Sequence, residues 1–127
     1  MSASNYLELK ILDHSLGTTE FTKPSNVYLG LSTESIADDG SGTELSGSSY
    51  ARQAITFASA SSGSVSSNAT VTFPTATGSW GTVSHWGIWD ASSSGNLLYH
   101  GSFAASKSIA SGDVLKVSSG DITISVD

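Results

Sequence analysis

The sequence predicts an all-β protein, an antiparallel sandwich preceded by one short N-terminal helix. Three observations lead there. Apolar and polar residues alternate in short runs, which is the two-residue period of a strand with one buried face. Clusters of Gly, Ser, Asn and Asp separate those runs, as hairpin connections require. Polarity comes from hydroxyls rather than charges: 13% of the 127 residues are charged, against 28 Ser and 12 Thr. β-Branched Thr suits a pleated surface and Ser suits turns. One core commonly serves about 100–150 residues, so a single domain over 1–127 is expected. The helix falls at about 5–16 and the strands run from about 26 onward.

From Ser4 to Gly17, Tyr6, Leu9, Leu12 and Leu16 recur at intervals of three or four residues, with Leu7 and Ile11 beside them. That spacing draws an apolar stripe on a 3.6-period helix. Ser4 or Asn5 can cap its start, and Gly17 can end it in the left-handed conformation. A helix of about three turns is marginal alone, so the stripe is expected to dock, on its own sheet or on a neighbouring subunit. Past Pro24, Val27, Leu29 and Leu31 alternate with Tyr28 and Gly30. The segment from Thr33 to Ser49 is longer than most connections and reads as a contact loop or a mobile one. Tyr50 to Phe57 is extended, with Ile55 and Phe57 on one face, and a Ser-rich stretch from Ser59 to Ser67 follows it.

Ala69, Val71 and Phe73 then alternate with Thr70 and Thr72 until Pro74. Thr82 to Asp90 carries bulky residues on both faces, as a central strand does, and Gly87 marks a close approach of backbone or ring. The loop Ala91 to Asn96 leads into a strand over Leu97 to Phe103. Val114 to Val117 and Ile122 to Val126 are the last strands, with Ile122, Ile124 and Val126 facing inward. Seven or eight short strands favour a sandwich over βαβ units, and a jelly roll is one way to arrange eight.

Net charge is −6 with a pI near 4.7, and there is no Cys. An acidic surface opposes nucleic-acid binding, which needs a basic footprint. Without Cys, disulfides and thiolate metal sites are excluded. No apolar run approaches the roughly 20 residues of a membrane-spanning helix, so no membrane contact is expected. MSASNYLELK has no basic stretch followed by an apolar one, so no signal peptide is expected either.

Candidate chemistry is thin. His85 and His100 lie in strands that neighbour each other through the 91–96 loop, but no third ligand stands at a zinc spacing. They read as sheet histidines bonded to backbone or hydroxyl groups. His14 sits near a helix C-terminus, where a cation is mildly favoured. No Gly-x-Ser-x-Gly elbow is present, and Gly47-Ser48-Ser49 lacks its second Gly. Asp38-Asp39-Gly40-Ser41-Gly42-Thr43-Glu44 misses the spacing of a calcium loop and reads as a solvated acidic loop. Most other acids fall in turns, where backbone hydrogen bonding explains Asp. No catalytic residue, cofactor or metal is expected. Trp80, Trp86, Trp89 and Tyr99 are large rings that fill an inter-sheet gap or stack on sugars. Trp86 is assigned to the core, while Trp80 sits in a Gly-Ser-Trp-Gly turn as a candidate contact ring.

Three stretches read together carry a resemblance: Asn5 to His14, Val27 to Thr33 with the acidic loop, and Tyr50-Ala51-Arg52 through Phe73-Pro74-Thr75-Ala76-Thr77-Gly78-Ser79-Trp80-Gly81 to Val83. The sequence resembles a family of small virion proteins of tailed bacteriophages, some of whose relatives look like capsid cement (decoration) proteins with a jelly-roll sandwich. The resemblance implies a protein on the outer capsid surface, made in the host cytoplasm, that stabilises the head by bridging major capsid protein subunits. Sheet edges that need covering lead to an expected closed self-association, a dimer or trimer, and the absence of a catalytic motif to no enzymatic activity. Many weak contacts on a lattice would then add up through multivalency. Tyr6, Leu9, Asp38, Asp39, Glu44 and Trp80 are the candidate protein-contact residues. The alternatives are a tail-fibre or baseplate component and a carbohydrate-binding adhesin using Trp80 and Tyr99.

Overall fold

The computed structural model describes residues 1–126. Among them the elements follow in the order β1 (Ser2–Ala3), α1 (Asn5–Ser15), β2 (Val27–Ser32), β3 (Gln53–Ile55), β4 (Ser64–Ser66), β5 (Val71–Thr72), β6 (Gly81–Trp89), β7 (Leu97–Ile109), β8 (Lys116–Val117) and β9 (Thr123–Ser125). A five-stranded antiparallel sheet has the order β1-β7-β6-β2-β3. Two antiparallel pairs, β4-β9 and β5-β8, supply strands for the opposing layer.

Alternation along each strand builds the core between the layers. Leu29 and Leu31 of β2 lie opposite Ile88 and Trp86 of β6 on the inner face. Val71, Phe73, Val117, Ile122 and Ile124 meet them from the other side in one connected buried cluster. Burying each such side chain contributes about 1.5–3 kcal/mol. Gly101 is paired with Trp86, and a Cβ there would fall 2.6 Å from Trp86 Cζ2, so only glycine lets this ring lie flat on β7. The edges β1 and β3 are very short, one way that natural sheets limit edge pairing.

The all-β sandwich with a leading helix is the expected architecture. Its subdivision is different: a five-stranded sheet faces two separate pairs, instead of the two four-stranded sheets of a jelly roll. Two strands come from segments without apolar alternation. Ser2–Ala3 pairs with β7, and Ser64–Ser66, inside the Ser-rich stretch, pairs with β9. β7 runs on to Ile109, well past Phe103, through a stretch whose side chains are mostly exposed. Val126 is exposed rather than inward, although its N–H continues the pairing to the Gly63 carbonyl at 2.8 Å, because the core ends at Ile124.

Helix α1 departs from expectation in two ways. Gly17 is not left-handed: Leu16 is the C-cap, and Gly17 N–H donates to the Leu12 and Asp13 carbonyls. A Cβ on Gly17 would meet Asp13 Cα at 3.0 Å, so close approach is the reason for glycine there. The apolar stripe also faces the wrong way to dock as a whole. Leu7 alone is buried, whereas Leu9, Leu12 and Leu16 are 65%, 55% and 83% exposed.

Candidate functional site

The loop between β2 and β3 returns across the outer face of the five-stranded sheet instead of standing free. Ile36 is buried, Ser32 Oγ donates to the Thr43 carbonyl at 2.6 Å, and Leu45 N–H donates to the Leu31 carbonyl at 2.9 Å. This fold-back brings Glu44 to Arg52. Arg52 Nη2 donates to Glu44 Oε1 at 2.8 Å and Nε to Oε2 at 2.9 Å, a two-pronged pair. Arg52 Nη1 donates to the Ala91 and Ser94 carbonyls, and the guanidinium stacks 4.0 Å from the centre of the Trp89 ring. Tyr50 Oη donates to Glu44 Oε2 at 2.6 Å and accepts the Leu31 N–H at 2.9 Å. Burial and the bond to Glu44 push the Tyr50 hydroxyl well above the usual phenol range. Gly30 and Gly87 face each other across β2 and β6, and Cβ atoms there would lie 3.0 and 2.9 Å from Trp89 Nε1. The paired glycines therefore form the slot in which this indole rests. Its N–H is buried and finds no partner among the described residues.

Beside this knot, Asp38 and Asp39 border a cavity of about 340 Å³ whose wall also includes Tyr6, Trp89 and Asn96. Asp38 Oδ1 lies 2.6 Å from His100 Nε2, which must carry the proton because a carboxylate only accepts. Asn5 N–H donates to the Asp38 carbonyl, joining the loop to the start of α1. Ser41 bonds the Asp39 carboxylate and holds it below the usual range. His85 Nδ1 lies 2.8 Å from Ser84 Oγ, whose hydrogen goes to the Thr33 carbonyl, so the ring donates. His85 thus bonds a hydroxyl as expected, while His100 bonds a carboxylate instead.

Two further surface features stand out. Leu9 and Leu12 of α1, with its C-cap Leu16, form an exposed ridge. At the far end of β7, Phe103, Lys107, Lys116 and Asp121 border a groove of about 230 Å³ floored by Val83, Leu115 and Val117.

Of the candidate contact residues, Tyr6, Asp38 and Asp39 converge on one cavity, and Leu9 lies on the ridge. Glu44 is committed to Arg52 and Tyr50. Trp80 is not an outward ring. It is 5% exposed, packs edge-on against Tyr50 and Phe73, and donates its indole N–H to the Ser48 carbonyl at 3.0 Å. Gly47, Ser48 and Ser49 all have positive φ, a strained turn that turns the Ser48 carbonyl inward to Trp80 and Thr77. Sequence reasoning missed Arg52, Lys107 and Lys116, whereas Trp89 stood among the large rings without its Arg52 partner. Arg52 carried a signal, since it stands two positions before Ala54 and so on the same face of the extended run; Lys107 carried none. Among the described residues no helix is long and apolar enough to cross a membrane, and no group of three or more His, Asp or Glu is arranged to hold a metal ion.

Fold and surface together define a small β scaffold with a peripheral helix. The chain belongs to the family described as podophage GP4 fiber I protein gp80, whose model matches residues 2–125. No curated protein matches the chain.

Proposed function

We propose that the protein is a non-enzymatic structural component of a podophage fibre, holding its place in the virion through protein contacts. Family membership supports a fibre role over the capsid-cement role that the sequence resemblance implied. One observation of geometry carries the reading: α1 holds Leu9, Leu12 and Leu16 in solvent although the helix is already anchored through Leu7. Contiguous exposed apolar side chains of this kind mark interaction surfaces. The partners are neighbouring virion subunits, further copies of this chain among them.

Gold-labelled antibody on purified particles tests the assignment. Label at the tail fibres, in few copies per particle, is the expected result. Label spread over the head at a copy number near that of the shell protein would overturn it in favour of capsid cement.

A further inference from the structure

We propose that the chain associates head to tail, the leucine ridge of α1 from one copy docking in the groove between β7 and β8 of the next. The two surfaces match in apolar character and charge. At about 100° per residue, Leu9, Leu12 and Leu16 fall within about 60° of one another, centred opposite the buried Leu7. Glu8 borders the ridge on one side and Asp13 on the other, and neither carboxylate has an ion-pair partner among the described residues. The groove has an apolar floor of Val83, Leu115 and Val117, and its rim carries Lys107 and Lys116, two of the five basic residues of the chain. Asp121 at the rim is occupied by the Ser118 N–H at 3.0 Å. An acid-flanked ridge thus meets a lysine-flanked trough.

Charge also argues against the simpler pairing of ridge with ridge. Two copies of α1 face to face bring Glu8 and Asp13 of one against the acids of the other, on a chain of net charge −6. The groove removes that repulsion. Position decides what the contact builds. Ser4 anchors the start of α1 to the Leu97 and Leu98 carbonyls at one end of β7, whereas Lys107 stands ten residues on, about 30 Å along the strand. A chain cannot fill its own groove across that span. Two unlike surfaces at opposite ends give a heterologous contact, which closes into a ring or continues as a filament. The inference goes beyond the fibre assignment and holds wherever in the virion the protein sits.

Sedimentation over a wide concentration range provides the test. Wild type should gain mass with concentration. The variants L9S/L12S, E8K/D13K and K107E/K116E should each weaken association by about tenfold or more. An equimolar mixture of the two charge-reversed variants should recover it. All substituted positions are exposed, so unchanged melting temperatures verify folding. A wild type that stays monomeric throughout overturns the proposal. So does a K107E/K116E or an E8K/D13K chain that associates as well as or better than wild type, because the lysine rim and the acidic flanks would then carry none of the contact.

Discussion

Arg52 joins three parts of the chain: the Glu44 carboxylate, the Ala91 and Ser94 carbonyls, and the Trp89 ring. Its side chain is only 7% exposed, so a lysine there would lose the fork and the stacking while leaving Glu44 poorly matched. Arg52→Lys should cost about 2 kcal/mol, below the range for breaking a fully buried pair because Glu44 is 25% exposed. An unchanged urea midpoint would refute this. Tyr50 supplies a pH effect. Its folded-state value is raised, by burial first and the Glu44 bond second, so the native chain keeps the phenolic proton longer than the unfolded chain does. The stabilisation is therefore complete below about pH 10 and declines as pH rises past that value. Burial of Tyr99 acts in the same direction. Tyr50→Phe should lose about 1–2 kcal/mol near neutrality, through the unpaired Leu31 N–H and Glu44 oxygen. Between about pH 9 and 11 its stability should fall less steeply than that of wild type, as urea melts at several pH values would report. Glu44 and Arg52 were both visible as residue types, but their pairing depends on where a long loop returns, and local pattern carries no such information.

At the scale of elements, α1 is held by its first residue more than by its length. Ser4 is buried, accepts the Leu7 N–H at 3.2 Å and donates its hydroxyl to the Leu97 carbonyl. Ser4→Ala removes the cap and leaves that carbonyl short of a partner, at a cost of about 1–2 kcal/mol. The amides of the first turn should then exchange hydrogen faster, while those of β6 keep their protection; equal exchange in both proteins would contradict the anchoring role. The helix and its N-cap were legible from spacing and residue type. Which side would be buried was not, because a stripe of apolar residues marks a face without saying whether the body of the protein or another chain covers it. Strands behaved in the same way. Alternation located β2, β5 and β9, and bulky residues on both faces located β6, whereas β1 and β4 consist of small residues that pair only because a neighbour offers its edge.

Over the whole molecule, one buried cluster spans both layers, so neither has a core of its own. Unfolding should be a single transition, with tryptophan fluorescence and far-ultraviolet dichroism reporting the same midpoint. Phe73 is 1% exposed at the centre of the Tyr50–Trp80 aromatic group. Phe73→Ala should lower stability by about 3–5 kcal/mol while the two probes still coincide. Separate midpoints would mean that the five-stranded sheet folds without the layer facing it.

Composition and period were enough to specify an all-β sandwich, a capped leading helix and an acidic, hydroxyl-rich surface, because burial and turn chemistry act over a few residues. The family resemblance likewise rested on contiguous blocks. Tertiary structure alone decided that Trp80 turns inward, that Glu44 serves Arg52, and that a leucine ridge and a lysine-rimmed groove end up at opposite ends of β7. These outcomes join residues tens of positions apart, and such partners are chosen by the energy of the assembled core rather than by any neighbour in the chain.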